Sequence, residues 1–432
     1  MNDVETVVIG AGHAGLAVSR LLTMEGRDHV VLDRGRVAES WRSARWDSLR
    51  LLTPNWMTRL PGWCYTGPDK EGYMPAGGLA VFLERYAASF GAPVLAGVSV
   101  EAVRSAGPGY EVVTDHGSWR SRHVVIATGP GSRPQVPAAA HRLHPDVRVL
   151  GAAAYRNPAQ LPTGGVLVVG ASSSGVQIAH ELAAAGRDVV LSVGRHTRMP
   201  RRYRGMDIFW WLERTGRTGR TIDEVPDVGE ARREPSLQLV GRAGPHRGDD
   251  LDLAVLQHHG VRLTGRLVDG DRHRVWFADD LADSVGAADL QMHRFLDTVD
   301  RHIDDSRLTT EVWEGHRPAP LAPPAAPTSA DLRAEGIGTV ILATGYRPHR
   351  PWLRLPITAA DGSIEQYRGV TPAPGVFVVG QRFQHRRDSA MIDGARHDAE
   401  HVVAELTRLA SSRALSDRSG SSASDSPEEL SA

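Results

Sequence analysis

The chain has 432 residues, 41% of them hydrophobic and 23% charged, ordinary proportions for a globular enzyme of two or three domains. Lys+Arg number 50 against 51 Asp+Glu, a net charge of −1, so no bulk field draws the protein to nucleic acid or an anionic membrane. A single cysteine, Cys64, excludes an internal disulfide framework, a cysteine zinc site and a CxxC redox pair.

In chain order, the pattern predicts a strand over 6–9, a glycine turn, a helix over 14–24 and a second strand over 29–32 that ends at Asp33. Helical spacing follows over 77–90, alternating strands over 94–114 around the turn Gly107-Pro108-Gly109, and a strand over 123–127 that runs into Thr128-Gly129. After the linker 155–165 the opening arrangement recurs: strand 166–169, turn 170–175, helix 176–185, strand 188–193. This is an internal duplication of a nucleotide-binding unit. Residues 200–330 are polar and irregular, with a helix near 281–303 and a Pro-rich linker over 317–329. A strand over 339–342 leads into Ala343-Thr344-Gly345-Tyr346, a last strand spans 376–379, and a helix covers 389–409. The tail, 411–432, has almost no large apolar residue and reads as disordered.

Gly10-Ala11-Gly12-His13-Ala14-Gly15 is a complete GxGxxG between strand and helix. Its first glycine makes the tight turn, the second admits a pyrophosphate to the backbone amides, and the third packs helix on strand. Asp33, followed by Arg34, stands at the end of the second strand, where a carboxylate accepts from ribose hydroxyls and repels a 2′-phosphate. That favours FAD or NAD at the first turn. The second turn, Gly170-Ala171-Ser172-Ser173-Ser174-Gly175, keeps the outer glycines and carries Ser172 in the middle. Its following strand ends Ser192-Val193-Gly194-Arg195 with no acid, and Arg198 follows. A guanidinium pairs well with a phosphate dianion, so NADPH is expected here with Arg195 on the 2′-phosphate. One site of each kind implies hydride transfer from NADPH to a flavin.

The two glycine turns, the segments Ala127-Thr128-Gly129 and Ala343-Thr344-Gly345-Tyr346, and the stretch TPAPGVFVVG (371–380) together resemble the class B flavoprotein monooxygenases. SWRSARWDSLRLLTP (40–54), YRNPAQLP (155–162), GRHTRMPRRYRGMDIFWWL (194–212) and VVGQRFQHRRDSAM (378–391) are similar to the bacterial, YUCCA-like members, over residues 4–408. The resemblance implies a fold of class α/β: two Rossmann-like dinucleotide-binding domains, an FAD domain (1–160 and 330–410) with an inserted NADPH domain (161–329). It implies Asp47 as an organiser of the active site, Thr53 beside the flavin ring, and Trp41, Arg42 and Trp46 near the cofactor. It further implies Val100 at the FAD adenine, Gly380 near the ribitol, and the two Ala-Thr-Gly segments as interdomain linkers near the dinucleotides. The chain departs from such relatives at Gly151, where a histidine is usual, at Leu52, and at Asp388.

The expected activity is that of an FAD- and NADPH-dependent monooxygenase using a flavin hydroperoxide and O2 to oxygenate a small organic substrate. LATGY (342–346) resembles the form in members that oxygenate N or S; the alternatives are Baeyer–Villiger oxygenation of a carbonyl and an uncoupled NADPH oxidase or diaphorase. The tryptophans 41, 46, 56, 63, 210 and 211 divide between an aromatic pocket and core packing. Nineteen histidines show no recognised metal spacing, so no metal is expected. No apolar stretch approaches the ~20 residues that span a bilayer, and the opening MNDVETVVIGAG lacks signal-peptide features. A cytoplasmic protein is expected, with no nucleic-acid or membrane partner; a homo-oligomer is compatible with the sequence.

Overall fold

Two copies of a strand–glycine turn–helix unit organise the molecule. The structure, a computed structural model, describes residues 1–421 except 243, 245–248 and 324, with the backbone alone over 412–421. In the first unit β1 (Asn2–Ile9) passes through the turn into α1 (His13–Met24), and the chain returns as β2 (His29–Asp33). Val7 and Ile9 lie in one core and Val8 in another, the two-sided burial of a central parallel strand. The sheet continues through β3 (Val94–Ala96), β4 (Val100–Ala106), β5 (Gly109–Thr114) and β6 (Gly117–Ile126) in the order β3-β2-β1-β6-β5-β4. The late strand Val376–Val378 joins β6 in parallel as the seventh. On one face α1, α2 (Ala76–Ser89) and the C-terminal helix (Ile392–Ser421) bury Leu16, Leu83 and Val402 against Val8, Val31 and Val125. That last helix outruns the one expected over 389–409; residues 422–432 of the expected tail lie outside the described residues.

The second sheet is wholly parallel, with β7 (Arg148–Gly151), β8 (Gly165–Val169), β9 (Val189–Ser192), β10 (Arg262–Thr264) and β11 (Ile337–Leu342) in the order β7-β11-β8-β9-β10. The helix α3 (Ser173–Ala184) follows its glycine turn. Val166 and Val168 face one core while Leu167 and Val169 face the other, the period of two that a strand imposes. This pairing moves both boundaries read from the sequence. Residues 148–151 and 337–342, placed in the first domain by the boundaries at 160 and 330, form β7 and β11 of the second sheet. The Pro-rich linkers suggested those boundaries, but β11 pairs with β8 across more than 160 residues of chain, which local composition does not report.

The chain crosses between the sheets twice, at 127–135 and at 343–350. The crossings run side by side, Tyr346 opposite Pro134 and Arg347 opposite Arg133 in antiparallel pairing, with the Gln135 amide donating to the Gly345 carbonyl at 2.9 Å. The irregular region 200–330 supplies α4 (Ile208–Arg214), α5 (Val228–Arg233) and α6 (Leu281–Asp305). Around Trp211, Phe209 and Phe295 it builds a separate core that also takes in Met57 from the first half. The start of the stretch expected as a linker, 317–321, is docked rather than free: Arg317 pairs with Asp297 at 2.6 Å, and the Leu321 amide donates to Asp289 at 2.7 Å.

Candidate active site

The two turns are held by the same packing. Gly10 has φ +114°, and a Cβ there would meet the Ala127 carbonyl oxygen at 2.6 Å. Gly170 has φ +107°, and its Cβ would meet the Ala343 carbonyl oxygen at 2.7 Å. Each Ala-Thr-Gly segment is therefore the floor of one turn. The third glycines are equally constrained, since a Cβ on Gly15 would lie 1.9 Å from the Gly10 oxygen and one on Gly175 1.7 Å from the Gly170 oxygen. Gly12 is different: nothing lies within 4 Å of its added Cβ. That open space, at the N-cap of a helix with no side-chain cap, is where backbone amides and the helix dipole receive phosphate.

Around the first cradle, Asp33 is clamped at the end of β2. Its Oδ2 accepts from the Ala11 amide at 2.7 Å and its Oδ1 from the Gly35 amide at 2.8 Å, leaving further lone pairs for a ribose. Arg34 is exposed. Val98 donates to the Asp33 carbonyl at 2.9 Å, which sets Val100, at the start of β4, two residues from this end of the site. Burial holds the His13 imidazole down at about 4, and its Nε2 is buried with no hydrogen-bond partner among the described residues. Ala14 faces Gly380, whose Cβ would lie 3.0 Å from the Ala14 Cβ. Two residues invisible to motif reading complete this side. Arg350 donates to the Gly129 carbonyl at 2.6 Å and to Gln381 Oε1 at 3.2 Å, and its Nε lies 3.4 Å from Thr128 Oγ1. Gln381 Nε2 also reaches the Gly129 carbonyl at 3.1 Å. Burial lowers the Arg350 guanidinium, and its Nη1 is buried with no partner among the described residues. An open phosphate cradle, an orphaned imidazole nitrogen and an orphaned guanidinium nitrogen fit a large anionic dinucleotide.

The second cradle is tighter. Ser172 does not offer its hydroxyl to a phosphate; Oγ donates to the Ser236 carbonyl at 3.0 Å. Gln238 Nε2 donates to the Ala171 carbonyl at 2.6 Å, and Gln177 holds the Leu239 carbonyl at 2.7 Å while touching Ser173 Oγ at 3.3 Å. The segment 236–239 thus lies across the turn; Ser173 and Ser174 are half-buried at the start of α3. Ser192, expected at the cofactor, is buried, with Oγ donating to the Gly265 carbonyl at 3.0 Å and accepting from the Leu267 amide at 2.9 Å. Its place is structural, because a side chain inside a two-sided sheet points into a core. Arg195 is exposed and paired with Glu230 at 2.6 Å. Arg198, by contrast, is buried between Asp252 at 2.8 Å and Asp289 at 2.6 Å and has no free face for a phosphate. Thr344 is spent on the Gln135 carbonyl, and Tyr346 is exposed.

The segment 40–54 divides. Trp46 is buried in the core of the second half with Ala152 and Tyr155, a packing role rather than the expected cofactor contact. Trp41 is half-buried beneath Arg45, whose guanidinium lies 4.7 Å from the ring centroid. Arg42 pairs with Glu84 of α2. Asp47 is exposed and accepts from Asn157 Nδ2 at 2.6 Å, while its amide donates to the Arg156 carbonyl at 2.9 Å, so it fastens the first half to the linker. Thr53 is half-buried next to Leu52, whose carbonyl accepts from Arg201 at 2.9 Å. Among the other tryptophans Trp211 is core and Trp63 packs on Phe82 and Tyr86. Asp388 is buried and neutralised by Arg386 through two contacts at 3.0 and 3.1 Å. His144, Asp146 and His273, far apart in sequence, bring three ligand atoms within 4.8 Å of one another on the surface, a juxtaposition that histidine spacing could not reveal.

The pyridine nucleotide-disulphide oxidoreductase family profile matches residues 7–207, which span both cradles. A protein of Geobacillus kaustophilus described as an uncharacterized oxidoreductase CzcO-like is 29% identical over 93% of this chain and 98% of its own. The indole-3-pyruvate monooxygenase YUCCA1 of Oryza sativa is 29% identical over 47% of this chain and 51% of its own. The chain is thus similar along almost its whole length to a CzcO-like oxidoreductase and over about half of it to an indole-3-pyruvate monooxygenase. Its fold is that of the flavin-containing monooxygenase from Stenotrophomonas maltophilia, matched at TM-score 0.61 and 20% identity over 94% of this chain and 99% of that one. Flavin and nicotinamide cofactors accord with two cradles of this geometry. Among the described residues no helix is long and apolar enough to cross a membrane.

Proposed function

We propose that the protein is an FAD- and NADPH-dependent monooxygenase that inserts one atom of O2 into a small organic substrate at N or S. The observation that carries this reading is the asymmetry of the two strand ends. At the first, Asp33 is fixed by two amides at 2.7 and 2.8 Å and presents its charge where a ribose 2′-hydroxyl is welcome and a 2′-phosphate is not. At the second, Arg195 is paired, among the described residues, with the exposed Glu230 alone. An exposed pair is worth about 0–1 kcal/mol, so a phosphate dianion can displace the carboxylate at small cost.

Bound FAD and NADPH would supply hydride transfer and oxygen activation. The chain's own part is binding and orientation. Gly12 and the first turn of α1 would receive the FAD pyrophosphate, with Arg350 and Gln381 holding the Thr128-Gly129 side of the site. The His13 imidazole, kept neutral by burial, stands beside Gly12 at the start of α1. Asp47, Asn157 and Arg156 pin the first half to the linker and so fix the spacing of the cradles. Reductive cleavage of a disulfide needs a dithiol, and Cys64 stands alone; the family's disulphide chemistry does not transfer. LATGY supports a heteroatom rather than a carbonyl as the acceptor. The test is product analysis with isotopic O2 and a panel of amines and thioethers: one labelled oxygen in the product, with NADPH consumed in proportion, is expected. NADPH oxidation yielding only hydrogen peroxide across the panel would overturn it.

A further inference from the structure

Between the two cradles the chain concentrates positive charge. Arg217 approaches Glu234 Oε1 at 3.6 Å, Arg387 pairs with Glu234 Oε2, and Arg382 donates to the Glu234 backbone carbonyl. Gln291 adds a neutral donor at 3.3 Å to the same carboxylate. Two guanidiniums thus share the Glu234 carboxylate while a third holds its backbone carbonyl, three positive charges against one negative in this cluster. Arg217, Arg387 and Glu234 are largely shielded, their side chains 29%, 24% and 15% exposed, whereas Arg382 and Ser236 face solvent. The cluster therefore has a closed floor and an open mouth. Burial, and then the neighbouring charge of Arg387, push the Arg217 guanidinium down; partly desolvated like charges call for a counter-ion.

Its position is set by both halves. Arg382 follows two residues after Gly380, which touches α1 at the first cradle. Glu234 precedes by two residues Ser236, whose carbonyl holds Ser172 of the second. Two residues span at most about 7 Å, so the cluster lies beside both cradles. The segments carrying it are stitched together, the Arg387 amide donating to the Arg220 carbonyl at 2.9 Å and the Ile222 amide to the His385 carbonyl at 2.8 Å. Glu234 already shows that a carboxylate fits among these forks, and guanidinium forks bind carboxylates with two parallel hydrogen bonds.

We propose that Arg217, Arg382 and Arg387 form the recognition site for an anionic group on the substrate, which makes the substrate a small organic carboxylate whose oxidisable atom is presented to the first cradle. This rests on the proposed function of the cleft. The cofactor's phosphates have other partners at the cradle amides and at Arg195, which stands at the end of β9.

The test is calorimetric titration of the FAD-loaded protein with benzoate and its neutral isostere benzamide, with and without saturating NADP+. Benzoate is expected to bind at least tenfold more tightly than benzamide. Arg387→Gln and Arg217→Gln are expected to weaken benzoate about tenfold and leave benzamide unchanged. Glu234→Gln, which removes the competing carboxylate, is expected to tighten benzoate, an effect that misfolding cannot imitate. Equal binding of the two probes, or a benzoate preference indifferent to these variants, overturns the proposal. So does a loss of NADP+ affinity in the arginine variants without a loss of benzoate, which would assign the cluster to the cofactor's phosphates. Because the readout is binding, failure here leaves reduction by NADPH and oxygen transfer to be judged separately by the isotope experiment.

Discussion

The two cradles share a backbone and differ in everything that selects a ligand. At both, the outer glycines sit against a carbonyl that leaves no room for a Cβ, 2.6 Å at Gly10 and 2.7 Å at Gly170. At the first, the middle position opens into space; at the second, Ser172 is tied by its hydroxyl to Ser236. The first strand ends in a carboxylate clamped by amides, the second in a guanidinium loosely held by Glu230. Packing thus dictates the turn, while the strand ends, where packing imposes least, are where the proposed discrimination between nucleotides would lie.

The largest expected effects separate packing from binding. Gly15→Val must displace backbone, since its Cβ would stand 1.9 Å from the Gly10 oxygen; we expect loss of the cooperative unfolding transition and of the yellow colour together. Gly12→Ala has no steric neighbour and φ −80°, so thermal denaturation should stay close to wild type while FAD retention on gel filtration is lost. Retained flavin in a folded Gly12→Ala protein would break the assignment of the first cradle.

Next in size is Arg195→Ala. A charge-assisted hydrogen bond contributes about 1.5–3 kcal/mol, so KM for NADPH should rise roughly ten- to a hundredfold with KM for NADH little changed. An unchanged ratio would leave the two strand ends without functional difference.

A smaller effect tests the helix behind the first cradle. Burial first, and then the charge of Asp388, push the Asp398 carboxyl up to about 7, against the pull of Ser389 and Arg386; His385 Nδ1 stands 4.0 Å away. The folded state therefore holds a proton that the unfolded state, at the ordinary value of 3.8, releases. Stability from this group is complete below pH 3.8 and is lost as pH rises toward about 7, at about 1.4 kcal/mol per unit. Asp398→Asn should flatten that loss, raising Tm at pH 8 by several degrees more than at pH 5. The smallest expected change is at Ser172→Ala, which frees the Ser236 carbonyl and should alter KM for NADPH only a few-fold.

The strand–turn–helix units were legible because glycine spacing and alternating burial are local signals, and the positions of Asp33 and Arg195 at or just beyond strand ends followed from the same pattern. What pairs at a distance was not. The sequence gives no sign that β7 and β11 join the second sheet, that Ser192 and Trp46 are turned into cores, or that Arg198 is consumed by Asp252 and Asp289. Arg350, Gln381 and the arginines around Glu234 were hidden for a further reason: in a chain with 49 arginines and one lysine, another arginine is no signal until its neighbours are known.

The central claim is that the clamped acid holds a flavin nucleotide and the loosely paired arginine selects the phosphorylated nicotinamide nucleotide that reduces it. The most direct measurement is anaerobic stopped-flow reduction of the FAD-loaded protein by NADPH and by NADH, in wild type and in Arg195→Ala, followed by an oxygen pulse. Bleaching is expected to be much faster with NADPH, with that preference erased by Arg195→Ala and reoxidation when oxygen is admitted. Absence of bleaching, or equal rates with both nucleotides in the wild-type protein, would contradict it.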